Sequence, residues 1–186
     1  MKTVLSVIMV IVILSLLGGL SLFKPVPPNV KLVNEIRVST AKELKDEHNL
    51  NLIGTGSQMM NEIEMLMMGF TFYQEVEIET ARKLVVEATE KYLAAINTNK
   101  KIRPYLHHHP FTAENVEIVI YFHNLNGSDV SLGKCKSASA NQGKITYYTQ
   151  NPEGHTLKIM LREPYTEALQ LVKEPALKES DIGASF

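Results

Sequence analysis

The sequence predicts an α+β fold, with amphipathic helices packed on one face of a small antiparallel sheet (three to five strands), preceded by an N-terminal apolar helix. Three observations predict this class. Residues 79–97 have the pattern of a long helix with one buried side, and residues 116–123 alternate between apolar and mixed side chains. Two further strand patterns, at 144–150 and 155–163, flank a turn sequence. Because these strand patterns are consecutive, neighbouring strands are expected to pair antiparallel.

The predicted helix at 79–97 has apolar residues at helical spacing on one side. They are Ala81, Leu84, Val85, Ala88, Tyr92, Leu93 and Ile96. On the other side, Glu79 lies four residues before Lys83, and Glu87 lies four residues before Lys91, which is the order that stabilises a helix. One side of this helix is therefore expected to face the core.

The predicted strand at 116–123 should present one apolar and one mixed face, because successive side chains of a strand point to opposite sides. The apolar set is Val116, Ile118, Ile120 and Phe122, and the mixed set is Glu117, Val119, Tyr121 and His123. The two later strands form a hairpin around the turn at 151–154, and a short helix at 164–172 closes the domain. Residues 130–142 are small and polar, which fits either an edge strand or a mobile loop.

The first half of the domain is predicted to contain two shorter helices and a strand. Thr40 and Glu43 have the spacing of a capping box, which predicts a helix at 41–48. A brief strand is predicted at 50–53. A second helix is predicted at 58–68, from apolar residues at helical spacing. These residues are Met59, Ile63, Leu66 and Phe70.

The N-terminal segment, residues 1–23, is predicted to be a signal peptide or a transmembrane anchor. Residues 4–23 contain no charged side chain, and about 20 apolar residues can span a bilayer as a helix. With an anchor, the domain is expected on the extracytoplasmic side of the membrane; with a cleaved signal, it is expected to be secreted or periplasmic. Residues 24–32 are predicted to be a proline-rich linker, 33–173 a single α+β domain, and 174–186 a flexible C-terminal tail.

The composition excludes several functional classes. Lys and Arg number 19 against 20 Asp and Glu, and they are dispersed, so nucleic acid is not an expected partner. Cys135 is the only cysteine, so it is expected to be either a buried small residue or a free thiol able to pair with another chain. The sequence contains no HExxH, G-x-S-x-G or paired-cysteine motif. No catalytic residue and no cofactor are predicted.

The stretch IRPYLHHHPF, at 102–111, has two interpretations. In an extended segment His107 and His109 point to the same side, and two imidazoles can take two positions around zinc or copper. A metal site needs at least one more ligand, for which His123 and His155 are the candidates. Neither histidine stands at a spacing that a known metal motif fixes, so no metal is predicted; His107 and His109 are the candidate ligands for one.

The alternative interpretation of this stretch is a rigid corner between a helix and a strand. Pro104 and Pro110 restrict the backbone, and Tyr105, Leu106 and Phe111 are large enough to hold the segment on the core. In that arrangement Arg103 pairs with a carboxylate of the long helix or binds an anionic ligand. The candidate contacts for a ligand or anion are therefore Arg103, Tyr105, His107, His109 and His123.

Five methionines cluster in the segment of the predicted helix at 58–68. They are Met59, Met60, Met65, Met67 and Met68. Methionine side chains are flexible and polarizable, so the cluster could form an adaptable partner surface, or offer thioethers to Cu(I) outside the cytoplasm. Ordinary core packing is the simpler alternative, because Met59 and Met60 cannot share one helical face with all the others.

Taken together, these features predict an exported, membrane-anchored envelope protein that acts as a non-enzymatic binding or interaction module. The membrane is contacted through residues 4–23, and a protein partner or envelope component binds the mixed sheet face or the methionine segment. The expected mechanism is β-edge addition or helix-in-groove docking. The alternative is a metal-dependent or histidine-based hydrolase centred on the His107–His109 corner, with His123 as a third histidine and Arg103 as an anion clamp.

Overall fold

The structure is a computed structural model that describes residues 25–153 and 156–182. The predicted N-terminal apolar helix, at 4–23, and His155 lie outside the described residues. Among the helices that are described, none is long and apolar enough to cross a membrane. The described residues from Leu32 onward belong to one compact unit, which contains the sheet.

Three helices, six strands and a short 3-10 helix make up the described chain. In chain order they are α1 (Pro28–His48), β1 (Asn51–Met59), β2 (Ile63–Phe72), α2 (Ile78–Thr98), the 3-10 helix (Arg103–Tyr105), β3 (Val116–Phe122), β4 (Ser137–Asn141), β5 (Lys144–Gln150), β6 (Leu157–Pro164) and α3 (Tyr165–Ile182).

The strands form one sheet in which spatial order follows chain order, from β1 to β6. Every neighbouring pair is antiparallel except β2 and β3, which are parallel. A parallel pair needs a crossover connection, and α2 provides it. The predicted α+β class is therefore confirmed, but the sheet is mixed and has six strands rather than three to five.

The largest correction concerns the predicted helix at 58–68, because β1 and β2 occupy this segment instead. In β2, Leu66, Met68 and Phe70 alternate at the period of a strand, and all three are fully buried. A strand buried in the sheet centre has a nearly continuous apolar run, which also contains residues at helical spacing. Tertiary pairing with β3 therefore decided the conformation of this segment, and the local apolar pattern did not.

Two predicted elements have the expected form. Helix α2 spans Ile78–Thr98, within one residue of the prediction at each end, and its buried residues include those expected except Leu93, which is partly buried. In β3 the whole apolar set is fully buried, and Tyr121 of the mixed set is 38% exposed. The alternation in β3 thus correctly separated the core side from the other side.

The small residues at 137–141 form β4, which lies inside the sheet between β3 and β5. Neither the predicted edge strand nor the predicted mobile loop describes this strand. Ala138 and Ala140 are buried, and α2 packs on β3 and β4. Small side chains let the helix approach the sheet closely, so their low hydrophobicity reflects close packing here rather than exposure.

Both terminal helices extend past the domain limits predicted at 33 and 173. Helix α1 begins at Pro28, inside the predicted linker, because proline is well suited to the first turn of a helix, where its missing N–H is not needed. Helix α3 continues to Ile182, beyond the short helix predicted at 164–172 and into the predicted tail.

A single apolar core joins the three helices to one side of the sheet. Val33, Ile36 and Leu44 enter it from α1, and Ala168 enters it from α3. Helix α2 contributes the largest helical share, including Leu84, Val85 and Ile96, together with Tyr92. The helices therefore cover one face of the sheet.

Candidate functional site

The sheet face opposite the helices is called the open face below. Strand registers align its side chains in rows, one of which runs Thr71, Tyr121, Ser137, Tyr148 and Ile159 across β2 to β6. The open face consists of Met65, Met67, Thr71, Glu117, Val119, Tyr121, Ser137, Ser139, Lys144, Thr146, Tyr148, Ile159 and Arg162. Of the described residues that form the core, none belongs to this set.

Val119 shows most clearly that the open face is separate from the core. Only 9% of Val119 is exposed, yet it is not part of the core cluster. It pairs with Gly69 on one side and Ser139 on the other, so small residues surround it. Val119 is thus the apolar centre of the open face, with small residues on both sides.

Met67 lies across a strip of glycines beside this centre. A Cβ added at Gly56 would meet the Met67 sulfur at 3.0 Å, and one added at Gly69 would meet its terminal methyl at 3.8 Å. Glycines therefore let the thioether lie flat on the backbone of β1 and β2. A flexible methionine on a flat floor can adjust to a partner without displacing the backbone.

Charges of both signs lie around the apolar centre. Glu117 lies on β3, while Lys144 and Arg162 lie on β5 and β6. Among the ion pairs formed by the described residues, none involves these three side chains. Arg162 donates a hydrogen bond from Nε to the Thr146 hydroxyl at 3.2 Å, within the face. These charges are available to a docked surface with the reverse pattern.

Both edges of the sheet carry features that oppose pairing with another strand. β1 has irregular register at Leu52/Gly54 and at Gln58/Met59, and Arg37 of α1 donates a hydrogen bond to the Gly56 carbonyl. β6 ends at Pro164, which has no N–H to donate, and presents Lys158 to solvent. Bulges, prolines and edge lysines are the usual means of blocking edge pairing. This arrangement disfavours the β-edge addition expected from the sequence.

A buried polar network fastens β5 and β6 to α2 beneath the open face. Arg82 donates to both carboxylate oxygens of Glu163, at 2.8 and 3.1 Å, and the Tyr147 hydroxyl donates to the same carboxylate at 2.5 Å. The hydrogen bond to Glu163 raises the pKa of Arg82, while burial and then Glu163 raise the pKa of Tyr147. A bidentate contact between an arginine and a carboxylate has a specific geometry, so it fixes the position of β6 relative to α2.

The histidine stretch is placed as a corner on the core. Ile102, Leu106 and Phe111 are buried, and the His107 N–H donates to the Ile63 carbonyl at 2.9 Å, which ties the corner to the start of β2. Tyr105 packs partly against the core, whereas Arg103 is exposed. These contacts support the interpretation of the stretch as a structural corner.

The candidate histidines are not brought together. His107 Nδ1 lies 2.6 Å from a Glu62 carboxylate oxygen on the exposed surface, and His109 Nε2 lies 3.5 Å from the Asn97 carbonyl. His123 instead lies beside Tyr73, with 6.0 Å between ring centroids. Within the described residues, no group of three or more His, Cys, Asp or Glu side chains could hold a metal ion.

The five methionines do not form one surface, which corrects that prediction. Met65 and Met67 lie on the open face, whereas Met68 is fully buried in the core. Met59 packs partly against the core, and Met60 is 96% exposed in the turn after β1. The alternation of a strand separates neighbours that the helical interpretation had grouped.

Cys135 is a buried thiol, 1% exposed, and burial raises its pKa to about 11. We expect a disulfide-exchange reagent at pH 8 to label the folded chain at least ~100-fold more slowly than the urea-unfolded chain, since reaction needs an accessible thiolate. The thiol's contribution to stability is complete below its ordinary pKa of 9.0 and is lost as the pH rises through about 11. Equal labelling rates for folded and unfolded chain would contradict this placement.

Comparison with protein-family models, curated proteins and solved structures finds no match to this chain. Sequence analysis found Glu117, Val119 and Tyr121 of the open face but missed its continuation on β5. The signal for that continuation was present, because Lys144, Thr146 and Tyr148 alternate with apolar residues.

Proposed function

We propose that the chain is an exported binding module of the cell envelope, tethered to the membrane by residues 4–23, that docks a protein partner on its open face. The observation that carries the proposal is a six-stranded sheet with helices on one face and a surface rich in methionine and tyrosine on the other. The uncharged N-terminal segment supports the location.

A protein partner fits the open face better than a small molecule does. Ligands of small size need concave sites that surround them, whereas this surface is broad and shallow. Its apolar centre, its tyrosines and methionines, and a charged margin match the anatomy of protein interfaces. The blocked sheet edges favour face docking over strand addition.

The hydrolase alternative receives less support from the geometry. A histidine-based mechanism needs its acid, base and substrate groups within hydrogen-bond reach of one another. His107, His109 and His123 each contact different neighbours, and Arg103 is exposed on the 3-10 helix. We therefore base the proposal on docking.

Site-specific photocrosslinking in the native cells tests the proposal. A photoreactive phenylalanine analogue replaces Tyr121, at the centre of the open face, or Leu171, on α3, which has a similar exposure of 43% against 38%. We expect a discrete adduct from position 121 and none from position 171. An adduct of twice the chain mass would identify a second copy as the partner.

A charge reversal on the open face tests whether the adduct depends on docking at that face. Glu117→Lys leaves the core untouched but changes the charge pattern, so it should reduce the adduct from position 121 about tenfold or more, since wrong-sign contacts cost several kcal/mol. Equal crosslinking from positions 121 and 171, or an adduct that Glu117→Lys does not change, would overturn the proposal.

A further inference from the structure

A separate pocket of about 280 Å³ lies where β2 and β3 end. It is lined by Lys45, Asn49, Asn51, Phe72, Tyr73, Gln74 and Leu125. None of these residues belongs to the open face or to the histidine corner. The volume is slightly below the usual range for drug-sized ligands, so the pocket suits a molecule of about one ring.

The topology of the sheet explains why a crevice forms here. β2 and β3 are parallel, so their carboxyl ends lie side by side. The chain leaving β2 enters α2, whereas the chain leaving β3 passes through a loop to the adjacent β4. Where the segments after neighbouring parallel strands run apart, an open crevice is left, and ligands commonly bind there.

The end of α1 brings polar groups to this crevice. Asn49 has a left-handed backbone, with φ of 58°, and its N–H donates to the Lys45 carbonyl at 3.0 Å. Asparagine tolerates this conformation, which ends the helix and turns the chain into β1. Lys45 and Asn49 thereby line the pocket together with Tyr73 and Gln74 of the chain that follows β2.

Hydrogen bonds hold the pocket in this shape. The Asn51 amide donates to the Asn49 carbonyl at 3.2 Å and to the Thr71 carbonyl at 3.4 Å. In the loop after β3, the Asn124 amide donates to the Asp129 carbonyl at 2.7 Å, which fixes the base of the loop that carries Leu125. Because the walls are already bonded to the scaffold, a ligand loses little affinity to ordering them.

The lining has a distinctive chemistry. It contains one cation, Lys45, and no carboxylate, so its described charge is positive. The amides of Asn49 and Gln74 can both donate and accept hydrogen bonds, as sugar hydroxyls do. The Tyr73 ring is 44% exposed and is backed by His123, and it offers an apolar face to the C–H side of a ring.

We propose that this pocket binds one hydroxylated ring that carries an anionic group, as in a uronic acid or a phosphorylated sugar. Lys45 contacts the anionic group, the amides contact hydroxyls, and Tyr73 packs on the ring. This site is independent of the proposed protein docking, because the two share no residue.

Ligand-observed saturation-transfer NMR on the full-length chain tests the site, in a detergent without sugar or phosphate groups. The probes are glucuronate, glucose 6-phosphate, glucose and inorganic phosphate. We expect glucuronate or glucose 6-phosphate to bind with a Kd of about 1 mM, since ring-sized ligands rarely bind more tightly. Glucose lacks the contact to Lys45 and should bind about tenfold more weakly.

Three variants test which side chains contribute to sugar binding in the pocket. Lys45→Ala should reduce the affinity for the charged sugars to that for glucose, and Tyr73→Ala should weaken binding of every sugar at least about tenfold. Lys100→Ala removes an exposed lysine in the turn after α2, outside the pocket lining, and should change nothing. Binding of phosphate alone as tightly as the sugars would reduce the site to an adventitious anion contact and overturn the proposal. Failure of both charged sugars to saturate by tens of millimolar, or unchanged binding in Lys45→Ala and Tyr73→Ala, would also overturn it.

Discussion

Replacing Glu163 with alanine is expected to lower the free energy of unfolding by about 3–5 kcal/mol, because it removes one partner of a buried ion pair. The side chains of Glu163 and Arg82 are 8% and 14% exposed, so solvent replaces little of the lost contact. The variant leaves the Arg82 guanidinium and the Tyr147 hydroxyl without their shared acceptor. Urea unfolding followed by circular dichroism measures the loss.

Two further variants show whether the loss of stability in Glu163→Ala comes from breaking the buried network. Arg162→Ala changes an adjacent exposed side chain of β6 and should cost less than about 1 kcal/mol. The pair Arg82→Met with Glu163→Leu removes both charges and should cost less than Glu163→Ala alone, since no unpaired charge remains. A Glu163→Ala loss no larger than that of Arg162→Ala would contradict the network.

Met68→Ala and Met67→Ala are expected to differ strongly, although the two residues are neighbours. Met68 is fully buried in the core, so its truncation should lower the free energy of unfolding by about 2–5 kcal/mol. Met67 lies half-buried on the open face over Gly56, so its truncation should cost less than about 1 kcal/mol. Chemical denaturation of the two variants under the same conditions gives the comparison.

The alternation of buried and half-buried residues along β2 gives a second pair of variants to compare, at Leu66 and Met65. Leu66 is fully buried and Met65 is half-buried on the open face, so Leu66→Ala should be costly and Met65→Ala mild. Similar losses for all four variants would contradict the strand assignment of this segment and with it the two-faced sheet.

The parts of the fold that sequence analysis predicted well have a strong local pattern. Helix α2 has an unbroken apolar stripe, and the four fully buried residues of β3 stand at alternate positions, so local periodicity alone identifies both elements. The mixed side of β3 was also predicted, and it lies on the open face. Local periodicity also marks the strand at 144–150, but it does not specify which strands lie beside β3 and extend this face.

The elements that sequence analysis missed depend on partners that are distant in the chain. The segment 63–72 reads locally as helix or strand, and pairing with β3, about 50 residues later, decides the matter. Arg82 and Glu163 are 81 residues apart, and no local pattern joins them. The pocket at the ends of β2 and β3 could likewise not be predicted without knowing that these two strands pair in parallel.

The central claim, that a partner covers the open face, is tested most directly by comparing methionine oxidation in the native membrane fraction and in the purified full-length chain. Met60 is 96% exposed and Met68 is fully buried, so their oxidation rates give the upper and lower limits in both samples. We predict that Met67 is protected in the native fraction, at a rate close to that of Met68, and is oxidised at a rate between those of Met68 and Met60 once purified. Equal oxidation of Met67 in the two samples would contradict the claim.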